Sequence, residues 1–351
     1  MKAYIRSAAI VAPQDGSAGT PLLRQVLTYT GNRLTCAEPD YNQFIDPRAI
    51  RRMSRIIKMG TAAAMQCLQL ADVQMPGAIT MGTAYGCLED TGVFMKRMVE
   101  QHEEMLTPTS FIQSTHNTIS AQIALQLQCH AYNNTFVHRG FSFESALLDA
   151  KMLLEEGQKQ VLTGAADEIT PYSFSILQRF GLYKTDPGNN IDLYNRPGKG
   201  TMAGEGAAFF LLDSSDHPGN YAIVDGLHTF YKPAGIETIW ENITQFLAAN
   251  ELQPGDIDLL VTGRNGDAAG DKIYAEMQEA IFPEQVAIGF KFLCGEYPTA
   301  SAFALWMAAR ILKEQQLPAV FGVTQPASLR RVLIYNHYEQ IHHSLMLLRA
   351  C

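Results

Sequence analysis

The chain has 351 residues, of which 47% are hydrophobic and 18% charged, and its formal net charge is −8. This length accommodates one large domain or two similar halves, and the negative charge disfavours nucleic acid or an anionic membrane surface as a partner. No apolar run of about 18 residues predicts a membrane span, the six cysteines form no CxxC pair, and the first residues do not resemble a signal peptide, so a cytoplasmic protein is expected.

Strand-like and helix-like segments alternate through the first part of the chain. Continuous apolar runs predict strands, and apolar positions at helical spacing predict helices. The predicted strands are 4–12, 77–83, 134–138 and 159–164, and the predicted helices are 47–72, 115–128 and 142–157. An irregular stretch rich in Gly, Asn and Pro follows at 183–204.

A similar order of elements begins again near residue 205. The predicted strands are 207–213, 221–228, 257–262, 286–290, 331–335 and 343–349, and the predicted helices are 236–250, 271–281 and 299–314. Alternation of this kind predicts an α/β fold with a mainly parallel sheet covered by helices. Its repetition predicts two βα halves, which we place at residues 1–200 and 201–351.

Four blocks of sequence carry a family resemblance. They are AIRRMSRIIKMGTAAAMQCLQLADV (49–73), VLTGAADEITPYSF (161–174), NRPGKGTMAGEGAAFFLLD (195–213) and GDKIYAE (270–276). In this order they resemble the β-ketoacyl synthase family, and the Gly-Glu-Gly-Ala at 204–207 is the most specific piece. The resemblance implies a thiolase-like fold, in which two duplicated βα halves form five layers, αβαβα, and the protein assembles as a dimer.

The residues that this family uses for catalysis are missing at three positions. The family needs a cysteine thiolate at a helix N-terminus and two histidines that stabilise the charge developing during decarboxylation. The resemblance places Gly140 at the cysteine, Gly263 at the first histidine and Glu296 at the second, while Lys291 matches the family's lysine. The family's glycine-rich loop matches residues 336–340, which contain no glycine. We therefore expect no condensation chemistry from this chain alone.

Other residues near these positions have both a structural and a functional interpretation. Ser142 with His138 has the residue types of a nucleophile and its base, although a serine at a helix start is more often an N-cap. Lys291 and Glu296 are expected to form an ion pair. His342 and His343 point to opposite faces of a predicted strand, so neither a metal nor a cofactor is expected. The candidates for a substrate tunnel or a subunit interface are Phe111, His116, Asn117, Phe136, Phe141 and Lys291.

A fold that is kept without its catalytic residues suggests a role for the fold itself. The resemblance favours a non-catalytic subunit of the chain length factor type, which forms a heterodimer with an active ketosynthase and shapes the acyl tunnel. The acyl carrier protein would then dock on that partner, in a type II polyketide or fatty acid-like pathway, with aryl polyene synthesis as one candidate. The alternatives are an acyltransferase or hydrolase that uses Ser142, and a homodimeric acyl-binding protein. The basic residues Arg51, Arg52, Arg55 and Lys58 are interpreted as a solvated helix face.

Overall fold

Ten strands form one continuous sheet in a computed structural model that describes residues 2–17, 19–186 and 188–351. They are β1 (Ala3–Val11), β2 (Ala78–Gly82), β3 (Tyr132–Phe136), β4 (Gln160–Asp167), β5 (Gly206–Asp213), β6 (Ala222–Tyr231), β7 (Leu259–Thr262), β8 (Val286–Gly289), β9 (Arg331–Tyr338) and β10 (His342–Arg349). Their order across the sheet is β3-β2-β4-β5-β1-β6-β10-β9-β7-β8. Read outward from the centre of the sheet, the first half has the order β1-β5-β4-β2-β3 and the second half has the equivalent order β6-β10-β9-β7-β8.

The two halves meet where β1 pairs with β6 over only three residues, Ala3–Ile5 against Ala222–Val224. In the first half β2, β3 and β4 are parallel, and β5 runs antiparallel to β4 and β1. In the second half β7, β8 and β9 are parallel, and β10 runs antiparallel to β9 and β6. Because β5 completes the first half, the repeat begins with β6, later than the boundary at residues 200 and 201 expected from the sequence.

Helices cover the sheet on both of its faces and also fill the space between its halves. They are α1 (Pro47–Ile50), α2 (Arg55–Leu70), α3 (Leu88–Glu100), α4 (Pro108–Gln113), α5 (Thr118–Leu127), α6 (Ser142–Glu155), α7 (Pro171–Arg179), α8 (Ile236–Ala249), α9 (Ala268–Ile281), α10 (Lys291–Cys294) and α11 (Ser301–Glu314). None of these helices is long and apolar enough to cross a lipid bilayer.

Three clusters of buried side chains define five layers. The largest lies between the two halves of the sheet and contains α6 and α11, whose residues 301–312 are all buried. The second packs α2 and α5 on the outer face of the first half, and the third packs α8 and α9 on the outer face of the second half. Alternate residues of one strand enter different clusters: Val161 of β4 faces the centre and Leu162 faces α2. This arrangement confirms the expected αβαβα fold.

The structure departs from the sequence-based elements at several places. The helix expected at 47–72 is two helices, because Ser54 has extended backbone angles and interrupts it before α2. The helices α3, α4 and α7 were not expected. Strand β9 continues to Tyr338, so the expected loop at 336–340 is the end of a strand and a tight turn. Glu339 and Gln340 form that turn with φ of 54° and 57°, which joins β9 to β10 as a hairpin.

Candidate functional site

Gly140 lies in the buried turn that precedes α6, where the resemblance places the cysteine nucleophile. A Cβ atom built on Gly140 would lie 2.7 Å from the Cβ of Tyr338 and 2.9 Å from the Cβ of His342. Both neighbouring atoms are attached directly to the backbone of the β9–β10 hairpin, so rotation of a side chain cannot move them away. The space that a nucleophilic side chain would need is therefore already filled.

Gly263 follows β7, where the resemblance places the first histidine. A Cβ atom on Gly263 would overlap both the amide oxygen of Asn336 and the hydroxyl of Tyr274. Tyr274 is buried, and its hydroxyl accepts a hydrogen bond from the backbone N–H of His337 at 2.9 Å. This second position is therefore also occupied by side chains, one of which comes from β9.

Glu296, at the second histidine position, forms the ion pair with Lys291 expected from the sequence. The Lys291 ammonium donates to the two carboxylate oxygens at 2.8 and 2.6 Å, and Asn265 donates from its amide nitrogen at 2.6 Å. Lys291 is fully buried. Burial raises the pKa of Glu296, against the opposing influence of Lys291. Because the Glu296 carboxylate accepts hydrogen bonds from Lys291 and Asn265, it cannot replace the N–H donor that a histidine would provide at this position.

The end of β9 contacts two of the three positions directly and the third through its ion-pair partner. Asn336 meets Gly263, Tyr338 meets Gly140, and the carbonyl of His337 accepts from Lys291, the partner of Glu296, at 3.3 Å. Of the three, only Glu296 lines the remaining polar cavity of about 150 Å³, because Tyr338 and Asn336 fill the space beside the two glycines. The three former catalytic positions therefore do not line a common cavity.

The histidines of the hairpin do not replace the missing ones. His337 stacks on Tyr274 with ring centroids 4.7 Å apart, and burial lowers its pKa well below the usual value, so it is neutral. His342 packs against Phe141, whereas the Nδ1 of His343 lies 2.9 Å from the hydroxyl of Tyr335. Within the described ranges, no group of three His, Cys, Asp or Glu side chains is placed to hold a metal ion.

Comparison with known families gives the same assignment as the blocks of sequence. Residues 32–183 match the family model described as "Beta-ketoacyl synthase, N-terminal domain". This part of the chain therefore has the sequence of a β-ketoacyl synthase N-terminal domain. No curated protein matches the sequence.

Several solved structures of ketosynthases can be superposed on this chain over its whole length. "The ishigamide ketosynthase/chain length factor" has a TM-score of 0.80 at 16% identity, covering 100% of this chain and 99% of its own. The complex of the ketosynthase ApeO with its chain length factor ApeC from Xenorhabdus doucetiae has 0.79 at 17%, with coverage of 100% and 98%. A β-ketoacyl synthase from Burkholderia phymatum STM815 has 0.79 at 15%, with coverage of 100% and 99%. At these identities the likeness shows the fold.

Two sequence blocks of the ketosynthase-like chain meet in one buried ion pair. Arg55, from the block at 49–73, donates to the two carboxylate oxygens of Glu205 at 2.7 and 2.5 Å. Glu205 is fully buried and also accepts the backbone N–H groups of Cys36 and Ile169. The Gly-Glu-Gly-Ala motif at 204–207 therefore has a structural role in this chain. The ion pair also removes Arg55 from the solvated helix face expected from the sequence, while Arg51 and Arg52 remain exposed.

Ser142 does not have the geometry of a nucleophile. It is the first residue of α6 rather than its N-cap, and it is completely buried. Its hydroxyl accepts the backbone N–H of His138 at 2.8 Å and donates to the carbonyl of Arg139 at 2.8 Å. The His138 ring lies instead beside Ser145, at 3.5 Å between Nδ1 and the hydroxyl oxygen. The proposed Ser142–His138 pair is therefore wrong, because the hydroxyl closes a backbone turn.

The residues expected in a tunnel or interface do not share one cavity. Phe111 is exposed on α4 and packs on Phe94, and His116 covers the turn at Gly86. Asn117 is exposed at the start of α5. Phe136 is half-buried at the end of β3, whereas Phe141 is buried against His342. They therefore lie on different elements, some exposed and some buried, rather than along one tunnel.

An apolar groove that sequence reasoning missed lies between α3 and α7. Its volume is about 770 Å³, and its lining includes Leu88, Val93, Tyr172, Ile176 and Leu177. Tyr85 also lines it, and the Tyr85 hydroxyl lies 3.3 Å from that of Tyr338, which lines the polar cavity. The two tyrosines therefore stand between the groove and the former catalytic position.

We predict that Gly140→Cys does not restore a nucleophile. The new side chain must displace the hairpin, and overpacking of this kind costs about 1–3 kcal/mol of the free energy of unfolding. Adding Tyr338→Gly removes one of the two obstructing Cβ atoms, so the double variant should cost less than the sum of the single changes. Denaturant unfolding of the single and the double variant measures the loss of stability. Incubation of each with an acyl thioester shows whether the new cysteine is acylated. Gly255→Cys, where a Cβ meets nothing within 4 Å, is the control; equal stability of the two cysteine variants would contradict the prediction.

Glu144 on α6 makes stability depend on pH. It is 1% exposed, and burial raises its pKa to about 7, against the opposing influence of the Ser301 and Ser344 hydroxyls and of the Lys291 charge. Since the folded state holds the proton more tightly than the unfolded chain, stability is greatest below the unfolded pKa of 4.5 and is lost as pH rises through about 7.

We predict that Glu144→Gln removes this loss. Between pH 5 and pH 8 the free energy of unfolding of the unchanged protein should fall by up to about 3 kcal/mol more than that of the variant. Asp167, whose pKa burial raises to about 6, contributes in the same direction in both proteins and cancels in the comparison. Denaturant unfolding at the two pH values measures the difference; parallel pH profiles would contradict the prediction.

Proposed function

We propose that this chain is a non-catalytic ketosynthase-like subunit of the chain length factor type, which pairs with an active ketosynthase and encloses part of its acyl chain. The observation that carries the proposal is the filled nucleophile position: Tyr338 and His342 of the β9–β10 hairpin occupy the space beside Gly140. A point mutation would leave an empty site, whereas this site has been rebuilt with large side chains. Because the fold is kept without the catalytic residues, the proposed role is to bind a partner subunit and to shape the acyl tunnel rather than to catalyse condensation.

An open sheet edge supports association with a partner. Strand β3 pairs with β2 on one side and has no neighbour on the other among the described strands. The side chains of Tyr132, Asn133 and Asn134 are exposed, and Val137 just beyond the strand is 48% exposed. An unpaired edge with exposed apolar residues is a template for another strand. Two of the similar solved structures are of a ketosynthase together with a chain length factor.

The groove between α3 and α7 supports a role in holding a hydrocarbon chain. Its volume is within the range of about 300–1,000 Å³ that ligand sites span. Tyr85 and Tyr338 separate it from this chain's own former catalytic position. An acyl chain in the groove would therefore be attached to the partner's nucleophile, and the carrier protein would dock on the partner. The groove also favours the alternative of a homodimeric acyl-binding protein, whereas the buried Ser142 gives no support to a hydrolase.

Co-expression with a ketosynthase encoded nearby tests the proposal. Only the partner would carry an affinity tag, and native mass measurement would follow purification. We expect a complex with one copy of each chain, and no product when either chain is omitted. A homodimer of this chain that ignores the co-expressed ketosynthase would overturn the heterodimer and favour the acyl-binding alternative.

A further inference from the structure

The segment from Leu88 to Gln113, called the flap, is joined to the body of the protein by polar contacts at its two ends rather than by buried apolar packing. The Glu89 N–H donates to the Glu168 carboxylate at 3.3 Å, and the Gln113 amide donates to the carbonyl of Arg52. No residue of α3 or α4 is buried, although apolar side chains occur throughout both helices. Five of these, all exposed by more than two fifths, are Val93, Met95, Val99, Phe111 and Ile112. Helices with so little buried apolar area open at low cost in free energy compared with core elements.

The flap is nevertheless a unit that can move as one body. The rings of Phe94 and Phe111 lie 5.6 Å apart, and Arg97 donates to the hydroxyl of Ser110 at 2.9 Å, so α3 and α4 hold each other. At its base the Thr91 hydroxyl donates to the carbonyl of Ser114 at 3.1 Å, which keeps the two ends together. Gly86, with φ of 60°, turns the chain just before the flap begins.

One wall of the apolar groove belongs to the flap and the other does not. Leu88 and Val93 of α3 face the groove from the flap, whereas Tyr172 and Ile176 of α7 face it from the body. Helix α7 is fixed to the body by the buried Phe174, which stacks on Tyr183 with ring centroids 5.3 Å apart. The width of the groove is therefore set by the position of the flap relative to a fixed wall.

We propose that the flap is a lid that closes on α7 around a hydrocarbon chain; only the identification of that chain as the partner's acyl group rests on the proposed function. The surface of the groove is mainly apolar, although Glu89 and Lys96 of α3 also line it. Water in the groove leaves Val93 and Ile176 hydrated. A hydrocarbon chain removes that apolar surface from water, at about 25 cal/mol for each Å² buried. The chain enters from the open side, because Tyr85 and Tyr338 close the inner end.

Hydrogen exchange on the isolated chain, with cis-parinaric acid as the probe, tests the lid. In the free chain the amides of residues 88–113 should exchange roughly tenfold or more faster than those of α2, because the flap lacks buried contacts. Saturation with the probe should slow exchange in 88–113 by roughly tenfold and leave α2 and α6 unchanged. A flap as protected as α2 before the probe is added would overturn the proposal, as would probe binding without any change in 88–113.

Two matched substitutions on α3 distinguish closure of the flap around the probe from nonspecific binding of the probe to exposed apolar side chains. Val93→Asp places a charge in the groove and should abolish both probe fluorescence and flap protection. Val99→Asp makes the same change on the same helix, at a residue that is 71% exposed and outside the groove lining, and should preserve both. Equal behaviour of the two variants would overturn the proposal. Since these experiments need no partner, their failure is distinct from a failure to find the heterodimer.

Discussion

Arg55→Met should lower the free energy of unfolding by about 3–5 kcal/mol, because it leaves a buried carboxylate without its ion-pair partner. The Arg55 guanidinium is the ion-pair partner of the Glu205 carboxylate, and Glu205 has no exposure to water. Removing the arginine leaves a buried charge that only the two backbone N–H groups of Cys36 and Ile169 still compensate. Denaturant unfolding followed by circular dichroism measures the loss.

Two further variants show whether the buried charge is the cause. Adding Glu205→Gln to Arg55→Met removes the charge and keeps an acceptor oxygen, so the double variant should be more stable than Arg55→Met alone. Arg52→Met, at an exposed arginine of the same sequence block, should change stability by no more than about 0.5 kcal/mol. If Arg55→Met cost as little as Arg52→Met, the ion pair would not hold the two blocks together.

Thr135→Pro should weaken the complex with a partner ketosynthase on the order of 100-fold, while the chain itself remains folded. The backbone N–H of Thr135 donates to the side chain of Asn134 at 2.9 Å, which places it on the free edge of β3 rather than in the pairing with β2. Proline is tolerated at such an edge but cannot donate to an incoming strand. Titration of the purified partner, with binding followed by mass or light scattering, gives the change in affinity.

Thr135→Ala is the control for the lost side chain. The Thr135 hydroxyl lies 2.7 Å from that of Ser120, and both substitutions remove this contact. Only the proline also removes the N–H. If the two variants bound the partner equally well, strand pairing at β3 would not form the interface.

The fold was predictable because its strands are continuous apolar runs bounded by turn residues. Strands β4, β5 and β10 are buried along almost their whole length, so the apolar signal in them is strong. Helices α3 and α7 were missed although both sequences carry a one-sided apolar pattern. Helix α3 buries none of its residues and α7 buries only Phe174, because apolar side chains of both helices line the groove between them rather than the core. The groove between them was missed with them.

The rebuilt site could be foreseen in part. The absence of a nucleophile at Gly140 and the pairing of Lys291 with Glu296 follow from residue types and spacing alone. The β9–β10 hairpin does not, because its turn uses Glu339 and Gln340 at positive φ, where Asn and Gly give the usual signal. Without the hairpin, nothing in the sequence indicates that Tyr338 reaches Gly140 across about 200 positions of chain.

The filled site also explains why the departures at Gly140 and Gly263 occur together. Tyr338 and Asn336 fill the space beside these two glycines from one strand, and the carbonyl of His337 between them accepts from Lys291, the ion-pair partner of Glu296. Restoring a side chain at either glycine therefore meets an obstruction from the hairpin rather than an empty position. A fold that is stable in this form provides a fixed surface for a partner and no competing nucleophile beside the partner's own.

The most direct test of the non-catalytic subunit is intact-mass measurement of both subunits after the purified heterodimer is incubated with acyl-loaded and malonyl-loaded carrier protein. The account predicts an acyl adduct on the ketosynthase partner, released carbon dioxide, and no mass increase on this chain. An acyl adduct on this chain, at Ser142 or elsewhere, would contradict the account, as would a partner that turns over equally well in its absence.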